Sequence, residues 1–486
     1  MEKNQEKVVK APKKGIRLWV FIVSIIATII VSVGLTIGII WTQLPKLISN
    51  QTQAHAFSKQ ELFQIEKVFY YLKQNYLDKN ITNEQLIQGA IKGMAESVGD
   101  PYTTYLVNDE TAQLDETVNG AFGGIGAELK SDQSRVVIST TMEGSPSQQV
   151  GLQSDDVITK VDGEDMTGKT ISEVVKKVRG EVGTDVVLTI ERAGTSLEVK
   201  LTRASIAINT VKAELDKEDA TIGHVRITSF AKNTAQELEK AVKDLTDKGA
   251  KAFVFDVRYN PGGLLDQAYK VANMFLKDGE PIVQVEDRFG EKKIYKASSD
   301  IGKFKITQPY VLLVNEGSAS ASEILAAALK EGAGAQIVGT KTYGKGTVQS
   351  VINISDNSEL KYTNAKWLTP NGNWIHKEGV TPTKEVNLPD YAFLKIIDAR
   401  ETLKEGSVSQ NVLSVETILK GLGYSVTADG YFDSATQEAV KSYQQKEGLT
   451  ASGEVDEETA QNLMNSVRQL IQENDTQYQA AKELLK

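Results

Sequence analysis

The sequence predicts a multidomain fold that combines helical, β-rich and α/β parts. Its 486 residues are too many for one typical domain and indicate about three or four domains. Candidate strands and helices alternate through residues 206–390, which predicts a layered α/β domain. Short β-rich runs precede that region. Segments with helical periodicity lie before the β-rich runs and after the α/β region.

An uncharged segment, residues 18–41, follows a basic tail, residues 1–17. The tail holds six basic and two acidic residues, a net charge of +4. A helix over the uncharged segment would span about 36 Å, more than the ~30 Å hydrocarbon core of a bilayer. Trp19 and Trp41 lie near its ends, where interfacial aromatic residues belong. The basic tail favours a cytoplasmic N-terminus, so we expect a single-pass cell-membrane anchor with the remaining chain outside the cytoplasm.

A cleaved signal peptide is the alternative for this segment. The apolar part of a signal peptide spans only about 7–15 residues, fewer than the uncharged run here. Ala54-His55-Ala56 resembles a cleavage site but lies well beyond the end of that run. We therefore expect the anchor to be retained.

The composition excludes several classes of function. The formal net charge of −9 argues against general nucleic-acid binding. Because the chain has no cysteine, disulfides and thiolate metal sites are impossible. Its three histidines, His55, His224 and His376, are dispersed and give no metal-ligand spacing. We expect no metal and no cofactor.

Residues 57–107 are expected to form a helical arm. Apolar residues recur at helical spacing from Leu62 to Leu72 and again from Leu86 to Met94. We expect no chemistry in this arm, which is a candidate surface for a homodimer.

Residues 119–204 are rich in predicted β-structure. Turns that contain glycine or aspartate separate the runs. The predicted elements are the strands Gly126–Lys130, Val136–Thr140, Asp156–Val161 and Val186–Arg192 and a helix near Thr170–Val178.

This β-rich region resembles a PDZ domain, a β-sandwich or barrel with helices. The matching motifs are Phe122-Gly123-Gly124-Ile125-Gly126, Gly144-Ser145-Pro146, Gly151-Leu152, Asp156-Val157-Ile158 and Val161-Asp162-Gly163. One departure is Asp155, where the family usually has glycine. PDZ domains bind an extended C-terminal peptide by β-augmentation. The resemblance implies that the peptide carboxylate is held by the backbone of Gly123, Gly124, Ile125 and Gly126.

The α/β region places three serines after a candidate buried strand, Tyr310–Val314. A side chain at such a strand-to-helix turn is exposed at the sheet edge, near the positive end of the helix. Ser318, Ser320 and Ser322 alternate there, and each is either a candidate nucleophile or a helix cap. The other predicted elements are the strands Ile222–Ile227, Ala252–Val257 and Pro281–Val285 and the helices Thr234–Lys248, Leu265–Leu276 and Ser322–Lys330.

A serine nucleophile needs an adjacent base, and the nearest candidate is Lys345. To act near neutral pH, a lysine pKa must fall from about 10.4 towards 7, which corresponds to roughly 4.6 kcal/mol. Burial in an apolar pocket lowers a lysine pKa in this way. If residues 345–350 form a strand, Lys345 and Gln349 share one face, and the Gln349 amide oxygen can orient the amine.

Two backbone amides are candidates for an oxyanion hole. The N–H of Ala321 follows the middle serine at the start of the helix. Gly263 ends the sequence Asn260-Pro261-Gly262-Gly263, where glycine allows a backbone N–H to approach a substrate closely. An ordinary turn is the alternative for these glycines.

Residues 60–390 resemble the carboxyl-terminal processing proteases, which are serine peptidases with a Ser-Lys pair. The shared motifs are residues 256–263, 317–323 and 343–349. The resemblance implies a crotonase-like α/β core with Ser320 as nucleophile, Lys345 as base and Gln349 as the residue that orients the lysine. Asp256 and Arg258 are expected to be structural ions beneath the glycine turn.

Residues 406–466 resemble the three-helix peptidoglycan-binding domain of bacterial wall enzymes. The matching residues include Gly423-Tyr424, Asp429-Gly430-Tyr431-Phe432, Tyr443-Gln444 and Gly448-Leu449. The alternative is an acidic helical tail that only adds solubility. Residues 467–486 are expected to form a charged terminal helix without a readable role.

Together these features predict a membrane-anchored serine endopeptidase whose partners are proteins with free C-termini, peptidoglycan and the membrane. A catalytically inert PDZ and peptidoglycan-binding adaptor at the cell wall is the alternative. Such an adaptor needs neither Ser320 nor Lys345, so the presence of both residues favours the enzyme. A peptidoglycan hydrolase would lack its usual metal or cysteine machinery. Two residues stay open: His376 is a packing residue or a base, and Arg179 is a surface residue or a contact to a carboxylate or to the protease core.

Overall fold

The computed structural model describes residues 58–132, 135–355, 357–398 and 400–486. The predicted basic tail and membrane anchor, residues 1–17 and 18–41, lie outside the described residues. Within the described ranges, no helix is both long enough and apolar enough to cross a membrane. The chain forms two compact units that divide after Ile91.

Two helices make up the described part of the N-terminal arm, α1 (Lys59–Asn75) and α2 (Asn83–Glu96). α1 begins at a capping box, in which the side chains of Ser58 and Glu61 each accept a hydrogen bond from the other's backbone N–H. No residue of α1 is buried. Its exposed apolar side chains include Leu62, Phe63, Ile65, Val68 and Leu72.

The prediction of helices throughout residues 57–107 is wrong at its end. Thr104–Val107 forms a strand, β1, which pairs antiparallel with β18 (Ser358–Leu368) in the α/β part of the chain. A helix, α3 (Asp109–Asn119), then leads to the β-rich region.

The β-rich region has a main sheet in the order β3-β4-β5-β7-β8, with β6 on β5, and a separate pair, β2 with β9. Its elements are β2 (Ala121–Gly124), β3 (Ala127–Asp132), β4 (Arg135–Thr141), α4 (Pro146–Gln149), β5 (Val157–Val161), β6 (Glu164–Asp165), α5 (Ile171–Val178), β7 (Asp185–Arg192), β8 (Thr195–Thr202) and β9 (Ala204–Ala207). Ile138, Val174 and Leu188 lie in its buried core. Asp155 has a φ of 67°, a left-handed conformation that accounts for the glycine usual at this position.

The α/β region contains a parallel sheet in the order β10-β11-β12-β15-β16-β19, in which only β10 is antiparallel to its neighbour. The predicted strands and helices agree with the observed ones to within a few residues. The elements are β10 (Val211–Leu215), β11 (Ile222–Ile227), α6 (Thr234–Asp247), β12 (Ala252–Asp256), α7 (Leu265–Asn273), β13 (Pro281–Asp287), β14 (Lys292–Lys296), β15 (Tyr310–Val314), α8 (Ala321–Gly332), β16 (Gln336–Gly339), β17 (Thr347–Ser355) and β19 (Lys384–Glu385).

Side chains on one face of the parallel sheet, such as Phe253 and Leu312, pack in a large core with α6, α7 and α8. A second, antiparallel sheet lies beside it, in the order β1-β18-β13-β14 with β17 paired to β18. The turn after β15 contacts the loop before β17, where the Tyr343 N–H donates to the Ser318 carbonyl at 3.1 Å, and the candidate catalytic residues lie there.

Three helices form the C-terminal region, as predicted for residues 406–466. They are α9 (Gln410–Gly421), α10 (Ser434–Glu447) and α11 (Glu457–Glu473), and they enclose a core that includes Val415, Tyr443 and Leu463.

The prediction of one charged terminal helix over residues 467–486 is wrong. α11 continues to Glu473, and a separate helix, α12 (Thr476–Glu483), follows. α12 packs its Ala480 and Ala481 against the second face of the parallel sheet, so this segment is partly core rather than a solvated tail.

Candidate active site

Ser320 lies at the turn between β15 and α8, the strand-to-helix junction that the sequence predicts. Its φ is 55° and its ψ is −111°, a conformation that non-glycine residues rarely adopt. Such strain persists only where the surrounding contacts hold it, and it is frequent at functional sites.

The structure distinguishes the three alternating serines by their hydrogen bonds. The Ser318 hydroxyl donates to the carbonyl of Val257 at 2.8 Å, and the Ser322 hydroxyl donates to the carbonyl of Asn260 at 2.9 Å. Both of these side chains are buried. The Ser320 hydroxyl is half-buried and donates no hydrogen bond to any described residue. Of the three, only Ser320 therefore has a hydroxyl available for a substrate.

The buried carboxylate of Glu323 connects Ser320 to Lys345. Its Oε2 accepts hydrogen bonds from the backbone N–H of Ser320 at 2.8 Å and from that of Lys345 at 2.8 Å. Its Oε1 accepts from the Thr342 hydroxyl at 2.6 Å and from the Gly344 N–H at 2.6 Å. Four donors thus converge on one carboxylate, which fixes the serine turn against the lysine loop.

Lys345 is half-buried, and its ammonium group lies 4.6 Å from the ring centroid of Tyr102, a cation–π contact. Burial lowers the pKa of Lys345, and the positive charge of Lys361 lowers it further, whereas the carboxylates of Asp100 and Glu323 oppose the shift. The direction is the one that a lysine base requires.

Gln349 does not hydrogen-bond to Lys345 within the described residues. The strand β17 begins at Thr347, so the predicted strand over residues 345–350 is wrong at its start. The Gln349 Nε2 instead donates to the hydroxyls of Thr347 at 3.0 Å and Thr363 at 3.1 Å. The expected face shared by positions 347 and 349 is present, but the lysine precedes it in the loop.

The loop of residues 258–263, here called the oxyanion loop after the role predicted for it, lies against the serine turn. A Cβ atom on Gly262 would lie 2.8 Å from the Ser320 Cβ and 2.9 Å from the Ala321 nitrogen, so only glycine permits this approach. Gly263 follows with a φ of 145°. Within the described residues, the N–H groups of Gly263 and Ala321 donate no hydrogen bond. The Ala321 amide, next to Ser320 in the chain, and the Gly263 amide, next to the closely approaching Gly262, are therefore both unengaged.

Comparison with known proteins identifies the family. The profile described as Peptidase family S41 matches residues 221–386. The carboxy-terminal processing protease CtpA of Bacillus subtilis (strain 168) is 40% identical over 423 residues, which cover 87% of this chain and 90% of that protein. The chain belongs to peptidase family S41. It is therefore a serine-type peptidase of the carboxy-terminal processing group.

Further matches cover the remaining parts of this S41 peptidase. A PDZ domain profile matches residues 137–192, and one for a putative peptidoglycan binding domain matches residues 408–463. Residues 34–111 match the profile described as the activating protease CtpB N-terminal domain. These matches agree with the PDZ and three-helix resemblances noted in the sequence.

Two further relatives are similar over much of their length. The probable CtpA-like serine protease of Staphylococcus aureus (strain MRSA252) is 36% identical over 460 residues, 94% of this chain and 90% of that protein. Among solved structures, the photosystem II D1 C-terminal processing protease is 32% identical and covers 67% of this chain and 86% of its own, with a TM-score of 0.39.

The predicted peptide-binding residues of the S41 peptidase divide into two pairs. Gly123 and Gly124 belong to β2, which pairs with β9, and the carbonyl of Gly123 also accepts the Gly180 N–H at 3.1 Å. The N–H groups of Ile125 and Gly126 donate to no acceptor in the described residues. The Ile125 and Gly126 amides are therefore available for a peptide carboxylate.

Two residues that the sequence leaves open have packing contacts here. Arg179 donates to the Glu116 carboxylate at 2.8 Å and stacks over the Phe122 ring at 3.9 Å from its centroid. The His376 ring stacks on Trp374, and its Nδ1 accepts the Gly346 N–H at 3.4 Å. Neither contact gives the side chain a catalytic position.

Sequence reasoning missed Glu323 and Tyr102 as parts of this site. A signal for Glu323 was present, because Ser320-Ala321-Ser322-Glu323 has the spacing of a capping box, in which a glutamate carboxylate accepts the N-cap backbone N–H. Tyr102 has no comparable local signal, since it reaches Lys345 only through the fold.

Proposed function

We propose that this S41 peptidase cleaves protein substrates by a Ser320–Lys345 mechanism after its PDZ domain captures their C-termini. The observation that carries the catalytic assignment is the difference between the serines. Ser318 and Ser322 are buried and bonded to backbone carbonyls, whereas Ser320 occupies a strained turn that is followed by the unengaged Ala321 amide.

In the proposed reaction, the Ser320 Oγ attacks the carbonyl carbon of a peptide bond while the neutral amine of Lys345 takes the hydroxyl proton. The new C–O bond leaves an oxyanion, which accepts hydrogen bonds from the N–H groups of Gly263 and Ala321. Collapse of this intermediate breaks the C–N bond, and the lysine returns its proton to the leaving amine. Water then hydrolyses the acyl-enzyme by the same steps.

The proposal requires the Lys345 amine to rotate from the Tyr102 ring towards Ser320. Catalytic contacts are often loose in the absence of substrate and tighten only in the complex. Glu323 holds the lysine backbone, so the movement involves the side chain alone. The amide oxygen of Gln349 accepts no hydrogen bond from the described residues, and we assign it the role of orienting the amine after this movement.

We place the substrate C-terminus beside β3, an edge strand of the PDZ sheet. An extended peptide can add to such an edge by β-augmentation. α5 flanks β3, and Leu129 and Ile171 offer partly buried apolar contacts. The unengaged N–H groups of Ile125 and Gly126 lie immediately before β3 and would receive the carboxylate.

The proposed location is the outer face of the cell membrane. The uncharged segment 18–41 with its basic N-terminal tail supports a single-pass anchor. The three-helix C-terminal domain would then hold peptidoglycan. We further propose a homodimer through α1, because its apolar side chains are exposed among the described residues and a second copy offers the same apolar face. Sedimentation of the full-length chain, compared with a Leu62→Lys variant, tests the dimer.

Cleavage of a peptide with a free C-terminus tests the catalytic assignment. We expect the full-length chain to cleave it and Ser320→Ala and Lys345→Ala to lose at least about 10³-fold in kcat. Lys341→Ala is the matched control, because Lys341 is exposed in the same loop and makes no side-chain hydrogen bond among the described residues. No cleavage by the unaltered chain would favour the inert adaptor, and full activity of either variant would overturn the Ser-Lys assignment.

A further inference from the structure

The second face of the parallel sheet is covered by α12, which follows the peptidoglycan-binding region. Parallel sheets are stable when both of their faces are buried. Val254 and Leu313 point to this face and pack against Ala480 and Ala481, and Ala481 is fully buried. The S41 profile ends at residue 386 and the peptidoglycan-binding profile ends at 463, so neither includes this helix.

The beginning of α12 binds a side chain of the oxyanion loop. The Arg258 guanidinium donates to both carboxylate oxygens of Asp475, from Nη1 at 2.9 Å and from Nη2 at 2.7 Å. Its Nη1 also donates to the buried Gln477 Oε1 at 3.0 Å. These partners lie 217 and 219 positions from Arg258 in the sequence.

The remaining donors of Arg258 bind Asp256 at the end of β12. Nε donates to its Oδ1 at 3.0 Å and Nη2 donates to its Oδ2 at 2.7 Å. All five guanidinium N–H groups are therefore used, three of them by the residues before and within α12. A buried guanidinium that loses such partners is left with unsatisfied donors, which is costly enough to displace it.

The position of Arg258 matters because the oxyanion loop begins there. The next residue, Tyr259, has a φ of 57°, so the loop leaves the strand in a strained conformation that neighbouring contacts must hold. Gly262 then approaches Ser320 closely, and Gly263 lies against the backbone of Phe230. Displacement by about 1 Å of a group that positions the reacting atoms can cost about 10²-fold in rate.

We propose that Asp475 and Gln477 are positioning residues of the protease, which hold the oxyanion loop in place through Arg258. The peptidase core is then completed by a segment that lies beyond the peptidoglycan-binding domain. This inference rests on the proposed function, because it assigns the loop a role in the Ser320 reaction.

The test compares Asp475 variants in the full-length chain. Asp475 is also the N-cap of α12, where its side chain accepts the Tyr478 N–H at 2.9 Å. Asparagine and serine both preserve a cap, but asparagine keeps one acceptor for Arg258 and serine is too short to reach it. We expect kcat per folded molecule to fall about ten-fold in Asp475→Ser and less in Asp475→Asn, with KM unchanged, because the loop contacts the transition state more than the bound peptide.

Two control variants separate positioning from folding. Glu483→Gln removes the same charge from an exposed site on the same helix and should change neither kcat nor Tm. Lys482→Met removes the ion pairs with Asp216 and Glu218 at the other end of α12 and should lower Tm while leaving kcat per folded molecule intact.

The outcomes are distinct for the two proposals. If the unaltered chain cleaves peptide, Ser320→Ala does not, and Asp475→Ser keeps full kcat, the positioning role is wrong and the proposed function stands. The positioning role is also wrong if Asp475→Ser and Lys482→Met lose kcat equally and in proportion to their fall in Tm. If Ser320→Ala remains active, the proposed function fails first.

Discussion

The carboxylate of Glu323 joins the backbone of Ser320 to the backbone of Lys345 through a single oxygen. Each amide nitrogen lies 2.8 Å from Oε2, so the two candidate catalytic residues are fixed relative to one another although 24 residues separate them in the sequence. These bonds restrain only the main chain of Lys345, whose amine makes no hydrogen bond among the described residues and lies over the Tyr102 ring. The proposed mechanism requires this amine to turn towards Ser320.

The first prediction concerns this carboxylate. In Glu323→Gln one of the two oxygens becomes a donor, so at least two of the four incoming N–H or O–H groups lose their acceptor. We expect kcat for peptide cleavage to fall about 10²-fold and the free energy of unfolding to fall by about 1.5–3 kcal/mol for each charge-assisted bond lost. Steady-state kinetics and urea unfolding measure the two effects.

Glu331→Gln is the control for this change. Glu331 lies in the same helix and accepts the Asn371 N–H, away from Ser320. It should leave kcat unchanged. Equal losses in both variants would mean that Glu323 acts only on the helix and not on the site.

The sequence predicts most of the α/β core because each strand and helix there has a clear period and clear ends. Tyr310–Val314, for example, is found as predicted. The sequence also predicts the turn that holds three alternating serines. Those serines can be distinguished only by the hydrogen-bond partners of their hydroxyl groups. Val257 and Asn260, which hold Ser318 and Ser322, lie about 60 positions away, and no local pattern encodes such contacts.

Long-range contacts also explain the errors at residues 104–107 and 467–486. β1 is a strand because β18 offers an edge to it, a pairing invisible to helical periodicity. α12 looks like a charged tail, yet its charges pair with Asp216 and Arg258 in the core, and its two alanines supply the close packing. Tertiary partners decide such segments, and local propensity does not.

A second prediction separates the structural serine from the catalytic one. Ser318→Ala removes a buried hydroxyl that donates to Val257 and accepts from the Asn315 N–H at 2.9 Å. We expect a loss of about 1–3 kcal/mol in the free energy of unfolding, because the two backbone groups lose their partner in a buried place. Turnover per folded molecule should be retained, which is the reverse of Ser320→Ala. Abolished turnover at full stability would make Ser318 the better nucleophile.

A third prediction tests the close approach of the oxyanion loop. Gly262→Ala puts a Cβ 2.7 Å from the Ala319 carbonyl oxygen and 2.8 Å from the Ser320 Cβ, at a φ of 102°. The loop must move away, and we expect at least about a 10²-fold loss of kcat, comparable to loss of an oxyanion donor. Gly279→Ala is the matched control: its φ is 92°, but nothing lies within 4 Å of the added atom. Both variants place alanine at a positive φ and so share the backbone strain. A similar loss of kcat in both would mean that this strain, and not the contact with Ser320, causes the effect.

The fourth prediction concerns pH. A lysine base is active when neutral, so kcat/KM should rise with pH through the pKa of Lys345, which burial and the charge of Lys361 hold below the ordinary value. Lys361→Gln removes the positive charge that lowers this pKa, so the rising limb should move to higher pH. Asp100→Asn removes a negative charge that raises it, so the limb should move to lower pH.

The opposite signs of these two shifts are the test. Either substitution could also lower the rate by disturbing the local packing. Such damage lowers the plateau of the pH profile, whereas removal of a charge moves the rising limb to a higher or lower pH according to the sign of that charge. The kcat/KM profiles of the unaltered chain, Lys361→Gln and Asp100→Asn should therefore be measured at equal ionic strength, because salt screens both charges. Limbs that coincide, or that move in the same direction, would mean that the group titrating in the reaction is not Lys345.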